Sequence, residues 1–463
     1  MSVCPNLKIE MRTSMMMKRT LFLLLTCGIV SNAYATDLFT VYQEALKCDP
    51  VLAQAEATRN SVQEGVPQSR AGLLPSLISS GSLIDDRNSE QNVSSEKGFL
   101  IGPASSGSGN QHSYQLSLDQ PIFNFQNWMK LRASKDTAKK ADATYNAAFQ
   151  DLIIRVSTAY FNVLQAQDKL RFIKANKKAV GDQLKQIKER YQVGMATMTD
   201  VYQAQANYDS LNAQEITAQN TVMNNFEALR QITGQSYHKL DPIGAHFSLI
   251  SPMPANSQEW IRAGENNNWT LLAARYAEQA ARENIRVNYA GHFPTLDATE
   301  QFQHGNGAAL GFPQNTTSNV WRSDVGLQVK LPLYQGGLVM SQTRQAQDDY
   351  LVASDAMVAA HRLVVFQAQQ AYNNVMASIS TVKADRIAIT SNQSALDSIV
   401  AGYQAGTKTI LDVLTAQQNL YQAESNLSAD QNTYILNTLA LKQAAGSLNA
   451  GDVLAVNRWL VHG

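Results

Sequence analysis

Two short segments of the chain carry the same pattern of glycine, aspartate and glutamine. The first, GMATMTDVYQAQ, starts at Gly194, and the second, GTKTILDVLTAQ, starts at Gly406. Each places an aspartate, Asp200 or Asp412, six residues after its glycine. A carboxylate near the start of a helix interacts favourably with the exposed backbone N–H groups there. These residue types therefore indicate hydrogen bonds and ion pairs that hold segments in place, and they do not indicate a bond-making reaction.

Patterns typical of catalysis and cofactor binding are missing from the sequence. The 7 histidines lack the spacing of a metal site, and no G-x-S-x-G, P-loop or H-E-x-x-H string occurs. The glycines of GNGAALG, residues 305–311, are spaced one residue too widely for a dinucleotide loop, which favours a surface loop. Lys+Arg and Asp+Glu are both 38, so no basic excess is present for nucleic acid. We therefore predict no enzyme activity, cofactor, metal site or nucleic-acid partner.

The N-terminus has the features of a secretory signal peptide. Lys18 and Arg19 precede an apolar run from Leu21 to Val30, and Ala33-Tyr34-Ala35 fits a cleavage site. We predict a signal peptide over residues 1–35, with four candidate translation starts: Met1, Met15, Met16 and Met17. No other segment approaches the ~18 consecutive apolar residues that a membrane-spanning helix needs. The exported chain is then expected to be soluble, attached to a surface, or part of a β-barrel.

The remaining chain is an internal duplication. Residues Tyr191–Gly234 align without a gap with Tyr403–Gly446, and RAGLLPSL, starting at Arg70, corresponds to NYAGHFPTL, starting at Asn288. We predict a first repeat over residues 36–234 and a second over residues 258–446. Residues 235–257 contain three prolines and form the predicted linker, and residues 447–463 form a C-terminal segment.

Each repeat passes through the same order of elements. A helix, Leu38 to about Gly72 in the first repeat, precedes alternating apolar and polar residues, which predict β-hairpins over 76–121 and 295–333. A long helix over 123–193 or 338–402 follows, and then a return helix over 198–233 or 410–445. Four prolines mark the predicted junctions between barrel and helices: Pro75, Pro121, Pro294 and Pro332. Of these, Pro121 and Pro332 are expected to stop strands.

The long helices are predicted to pack laterally as coiled coils. At 1.5 Å per residue each would extend about 100 Å, so its stability must come from neighbouring helices. Gly194 and Gly406 are of the residue type that best tolerates the left-handed turn at a helix end. Each is therefore predicted to form the tip of a helical hairpin. The apolar residues of the second long helix follow the three-four spacing of a seam: Tyr372, Val375, Ile379, Val382, Ile389, Leu396, Val400 and Tyr403.

Four strands with one apolar face cannot form a barrel alone. About eight strands are needed for closure, and an open sheet edge is not tolerated in hydrocarbon. Two copies would give a barrel filled by side chains, whereas three copies would give twelve strands around a water-filled lumen. The polar inner face favours three copies. The predicted fold class is therefore an α+β membrane protein. It comprises a trimeric twelve-stranded antiparallel β-barrel, with four strands from each chain, continued by a long α-helical coiled-coil barrel in the periplasm.

The chain resembles the outer-membrane efflux protein family over essentially its whole mature length. The resemblance rests on the duplication, on RAGLLPSL, on AGYQAGTKTILDVLTAQQNLYQAESNL at residues 401–427 and on LALKQAAGSLN at 439–449. It implies a homotrimeric duct in outer-membrane lipid that passively conducts drugs, toxins or secreted polypeptides out of a Gram-negative cell. It also implies two partners, a periplasmic membrane-fusion adaptor and an inner-membrane transporter of the RND, ABC or MFS class.

The resemblance further implies a gate where the hairpin tips converge at the periplasmic end. The family's tyrosine, basic residue, aspartate and Thr-Asp pair fall here on Tyr403, Lys408, Asp412, Thr199 and Asp200. Lys408 stands where close relatives have arginine, which removes bidentate hydrogen bonding and is expected to weaken the latch. Thr415 stands where they have a second aspartate, so whether the constriction binds cations stays open, and Asp412 is the candidate left in this motif.

Other interpretations remain open at this stage. Tyr403 also fits simple core packing, and Asp200 and Asp412 also fit ordinary helix starts. A periplasmic coiled-coil adaptor or scaffold without a pore would share the long helical hairpins, and a trimeric surface adhesin would share the barrel. Neither explains two strand hairpins at equivalent points of a duplication. The sequence does not specify the exported cargo.

Overall fold

A computed structural model describes residues 35–86, 109–244, 247–306 and 319–461. The predicted signal peptide, apart from Ala35, lies outside these residues, as do most of the loop between the first two strands and the GNGAALG segment after residue 306. The chain divides into two compact units. One comprises residues to Ala57, Ala143–Leu272 and Ala359–Gly463, and the other comprises Thr58–Asp142 and Ala273–Val358.

The second unit contains a four-stranded antiparallel sheet. Its strands are β1 (Ser76–Asp86), β2 (Gly109–Phe123), β3 (Thr295–Asn306) and β4 (Asn319–Lys330). They lie side by side in chain order. Within the part of the chain that the structure describes, β1 and β4 each pair with one strand, so each leaves one edge unpaired.

The two faces of the sheet differ in polarity because side chains alternate along each strand. On β4, Trp321, Val325, Leu327 and Val329 share one face and are 69% to 78% exposed in the single chain. The opposite face is polar and carries an ion pair between Arg322 and Asp324 at 2.7 Å. Such alternation is typical of a barrel wall with lipid outside and water inside.

Glu300 is an exception on the apolar face. In the register of the sheet it lies opposite Leu118 of β2 and Val325 of β4. Its neighbours two residues away on the same face of β3 are Ala298 and Phe302. A carboxylate therefore lies among mainly apolar neighbours near the middle of the strand, on the face where His304 also stacks on Trp321.

Shorter helices precede each strand pair. They are α1 (Leu38–Cys48), α2 (Pro50–Gln63) and α3 (Gly65–Ala71) in the first repeat, and α6 (Ser257–Asn267) and α7 (Trp269–Tyr289) in the second. A 3-10 turn, Ala290–His292, follows α7.

The prediction of one helix from Leu38 to about Gly72 was wrong, because the chain breaks at Asp49. That residue has an extended backbone with ψ of 117°, which a following proline favours. Its carboxylate accepts the N–H of Leu52 at 2.8 Å and pairs with Arg155 at 2.8 Å, so it caps the next helix. In the second repeat Asn268 caps α7, because its side chain accepts the N–H of Thr270 at 3.0 Å.

The remaining helices form two long hairpins and a short terminal element. The bounds are α4 (Phe125–Gln192), α5 (Met198–Thr233), α8 (Leu338–Gln404), α9 (Ile410–Ala444) and α10 (Ala450–Asn457). Along α8, the predicted seam residues Val375, Ile379 and Val382 are buried, which is the burial expected of a helix packed along one stripe.

The main core lies in the first unit, where the linker residues pack with α1, α4 and α9. Tyr160 is fully buried and donates its hydroxyl to the carbonyls of Thr36 at 3.1 Å and Asp241 at 2.9 Å. Isolated bridges join Thr36 to Leu240 and Ile243 to Leu460. Leu240 and Phe247 of the predicted linker therefore belong to the packed core.

The junction prolines occupy different positions relative to the strands. Pro75 and Pro294 immediately precede β1 and β3. Pro332 follows the last residue of β4 by two positions. The expectation that Pro121 stops its strand was wrong, because β2 continues to Phe123 through a register shift between Pro121 and Phe123. A bulge accommodates a residue that has no N–H for the strand ladder.

Helix α8 contains no long run of consecutive apolar residues, yet it is apolar on average. By length and composition alone it is the one described helix that could cross a membrane. An 18-residue window of this helix has a mean hydropathy of 1.3, and 11% of that window is buried. Exposed apolar side chains on this helix include Leu351, Val352 and Phe366. In a single chain these residues have no covering partner among the described segments.

Candidate gate at the helical hairpin tips

The first candidate tip joins α4 to α5 through a glycine turn. Gly194 has φ of +77°, a conformation that strongly favours glycine. The N–H of Met195 donates to the carbonyl of Arg190 at 2.8 Å, and the N–H of Gly194 donates to the carbonyl of Tyr191 at 3.0 Å. These bonds satisfy carbonyls at the end of α4 and fix where the chain reverses.

The second candidate tip joins α8 to α9 in the same way. Gly406 has φ of +76°. The N–H of Thr407 donates to the carbonyl of Gly402 at 2.9 Å, and the N–H of Gly406 donates to the carbonyl of Tyr403 at 3.1 Å. The repeated motif thus produces the same backbone turn twice.

Each return helix begins with a capping box. Thr197 accepts the N–H of Asp200 at 3.2 Å, and the Asp200 carboxylate accepts the N–H of Thr197 at 2.9 Å. At the second tip, Thr409 and Asp412 exchange the equivalent bonds at 3.3 Å and 2.8 Å. The sequence analysis identified both aspartates but missed both threonine caps, although T-x-x-D before a helix is the signal for this box.

The surroundings of Asp412 at the second tip favour its ionised form. Its pKa is lowered first by the hydrogen bond from the Thr409 backbone N–H, then by the Thr409 hydroxyl, and further by the positive charge of Lys408. Lys408 makes no ion pair with another described residue, so its effect on Asp412 acts through space. Thr415 lies one turn after Asp412 on α9 and is exposed.

Tyr403 lies in an apolar cluster that both hairpins of one chain share. The buried members come from α4, α5 and α9, and α8 packs partly buried residues against them; the buried members are Val180, Leu184, Ile187, Val201, Ala204, Leu211, Ile410, Val413 and Leu414. Tyr403 is half-buried against them. Its ring also lies under the guanidinium of Arg190, which is 5.3 Å from the ring centroid. The sequence analysis missed Arg190, since no local pattern connects it with Tyr403.

The candidate gate residues do not form one hydrogen-bonded set within a single chain. Asp200 and Thr199 lie at the first tip, and Lys408 and Asp412 lie at the second. No side-chain hydrogen bond or ion pair joins the two groups among the described residues. The link between the tips inside the chain is instead the apolar cluster with Tyr403.

No group of three or more His, Cys, Asp or Glu side chains that could hold a metal ion occurs in the part of the chain that the structure describes. The polar groups at the tips are therefore arranged as helix caps and exposed charges. They can make hydrogen bonds and ion pairs with another surface, including the same surface of a second copy.

Comparisons with known proteins agree with this architecture. The family model described as "Outer membrane efflux protein" matches residues 41–235 and 260–447, one segment in each repeat. Outer membrane protein TolC of Vibrio cholerae serotype O1 is 38% identical over 443 residues, covering 95% of this chain and 98% of that protein. The alkaline protease secretion protein AprF of Pseudomonas aeruginosa is 26% identical over 451 residues, covering 93% and 89%.

Solved structures share the fold at lower identity. The outer membrane protein VceC from Vibrio cholerae has a TM-score of 0.71 and 22% identity, covering 88% of this chain and 96% of that one. CusC has a TM-score of 0.75 and 18% identity, with coverage of 89% and 92%. The family model matches both repeats, and the identity to TolC extends over nearly the whole length. These findings favour a channel over an adaptor, scaffold or adhesin. The chain belongs to the outer membrane efflux protein family.

Proposed function

We propose that three copies of this chain form an exit duct in the outer membrane, gated at the helical hairpin tips. The observation that carries the proposal is the four-stranded sheet, in which β1 and β4 each pair with one strand among the described residues and the two faces have opposite polarity. Unpaired strand edges are not stable in hydrocarbon, so other copies must complete the barrel. Three copies supply twelve strands and a water-filled lumen.

The exposed apolar residues of α8 support the same assembly. Leu351, Val352 and Phe366 lie on a helix whose most apolar window is 11% buried in the single chain. Contiguous exposed apolar surface on a helix is typical of an interface. Packing between copies would cover it and extend the barrel by helices.

The proposed cargo comprises drugs or secreted polypeptides, which a periplasmic membrane-fusion adaptor and an RND, ABC or MFS transporter of the inner membrane would deliver. Support comes from the relatives: AprF is named for the secretion of alkaline protease, and BepC of Brucella suis is named an outer membrane efflux protein. Both kinds of transport need the same passive duct. A deletion strain tested for dye efflux and for loss of secreted proteins distinguishes the two uses.

The proposed gate consists of Tyr403, Lys408, Asp412, Thr415, Thr199 and Asp200 at the two tips. An exposed Lys–Asp pair contributes about 0.2–1 kcal/mol, so three copies contribute about 0.6–3 kcal/mol. Reversing a gate from 1:99 to 99:1 takes about 5.5 kcal/mol. Coiled-coil packing therefore supplies the remainder of the closing free energy, and partner binding offsets it.

The gate is tested by single-channel recording of the purified trimer in planar bilayers. Combining Lys408→Ala with Tyr403→Phe is expected to raise conductance, because both changes weaken contacts that keep the tips together. A conductance equal to that of the unmodified trimer would remove the Lys408 ammonium and the Tyr403 hydroxyl from the gate.

A further inference from the structure

A cation–π contact joins the two hairpin tips of one chain. The guanidinium of Arg190, in the last turn of α4, lies 5.3 Å from the centroid of the Tyr403 ring. Arg190 is half-buried, and its side chain makes no hydrogen bond or ion pair with another residue that the structure describes. The tyrosine ring is therefore the main partner of this positive charge, and the two residues belong to different hairpins.

Both residues are held by the turns that follow them. The carbonyl of Arg190 accepts the N–H of Met195 at 2.8 Å, and that of Tyr403 accepts the N–H of Gly406 at 3.1 Å. Tyr403, on α8, also packs against the apolar cluster of α4, α5 and α9. Because the turns fix the backbone on each side, relative movement of the hairpins separates the guanidinium from the ring.

The duplication provides an internal comparison for this contact. Tyr191 occupies in the first repeat the position that Tyr403 occupies in the second, and Arg190 corresponds to Gly402. Gly402 has no side chain to offer, and a Cβ there would lie 2.8 Å from Cγ of Lys408. Tyr191 is 45% exposed and has no cation over its ring among the described residues. The contact is therefore specific to one of two equivalent tyrosines.

We propose that Arg190 is a further gate residue, which positions Tyr403 so that the first hairpin of each chain holds the second in the closed arrangement. This inference rests on the proposed exit duct. Cation–π contacts of this exposure, repeated in three copies, correspond to about a 10- to 100-fold shift in the ratio of closed to open channels. Opening then requires Tyr403 to leave Arg190, in addition to any bonds broken between chains.

The test is a double-mutant cycle on the purified trimer in planar bilayers. Arg190→Gln removes the charge, and Tyr403→Leu removes the ring. Each is expected to raise the ratio of open to closed channels about 10- to 100-fold, and the double variant is expected to open no further than either single variant. Arg190→Lys is expected to restore part of the closure, because an ammonium also binds an aromatic face. Tyr191→Leu is the matched control and is expected to leave the open fraction unchanged.

Two results would overturn the inference. One is an open fraction for Arg190→Gln equal to that of the unmodified trimer, and the other is full additivity of Arg190→Gln and Tyr403→Leu. Trimer integrity is checked by electrophoresis without heating, so that a folding defect is recognised separately. If the unmodified trimer conducts no ions, the exit duct itself is refuted. A conducting trimer that is indifferent to Arg190 refutes only the role of this residue.

Discussion

Replacing Glu300 by leucine is expected to stabilise the assembled barrel. Glu300 is the carboxylate on the mainly apolar face of β3, opposite Leu118 and Val325. It lies five residues, or about 17 Å along the strand, from the first residue of β3. Within the described residues it makes no hydrogen bond or ion pair. A carboxyl group at this depth on a lipid-facing surface is unfavourable, and leucine removes the cost.

The size of the effect follows from the position of the residue. Arginine or lysine on the lipid face costs about 2–4 kcal/mol at the bilayer midplane, and carboxylates cost less. We therefore expect a gain of about 1–2 kcal/mol for each chain. Since three chains contribute one Glu300 each, the trimer is expected to gain about 3–6 kcal/mol.

The assay is the temperature at which the purified trimer separates into single chains on electrophoresis. Glu300→Leu is expected to raise this temperature. Thr299→Leu is the matched control, because Thr299 is the adjacent residue on the polar face, and leucine there is expected to give no stabilisation. A lower dissociation temperature for Glu300→Leu, or an equal rise for both variants, would refute the assignment of the two faces.

Three further predictions concern the second hairpin. Lys408→Arg is expected to lower the open fraction in bilayer recordings, since arginine can make bidentate bonds to a carboxylate. Thr409→Ala is expected to destabilise the start of α9 by about 0.5–2 kcal/mol and to speed hydrogen exchange in its first turn, whereas Thr409→Ser should not. Burial, followed by the neighbouring Asp430, raises the pKa of Asp385. This group therefore favours the folded hairpin below its unfolded-state pKa, and the contribution is lost as pH rises through the folded-state pKa. Asp385→Asn is expected to reduce the loss of stability with rising pH, measured as the dissociation temperature of the trimer against pH.

The periodic elements could be predicted because their signals are local. Alternation around Leu327 identified a strand, and the long runs without proline identified α4 and α8. Gly194 and Gly406 identified the helix ends, because a left-handed residue is needed there and glycine adopts it most easily. The duplication helped further, since each weak signal occurred twice.

The parts that sequence reasoning missed depend on capping and on distant contacts. Pro50 was a readable break signal, but the helical composition around Asp49 obscured it. The bulge after Pro121 depends on pairing with β3, which lies in the other repeat. The contact of Arg190 with Tyr403 joins residues that are far apart in sequence, so no local pattern reveals it. Glu300, by contrast, could have been found by checking every member of the apolar face.

The most direct test of the account is the mass and conductance of the protein extracted from the outer membrane in detergent. We expect a particle of three chains that separates into single chains on heating and forms water-filled channels in planar bilayers. A single chain that remains soluble without detergent and conducts no ions would contradict the central claim that three copies complete one barrel.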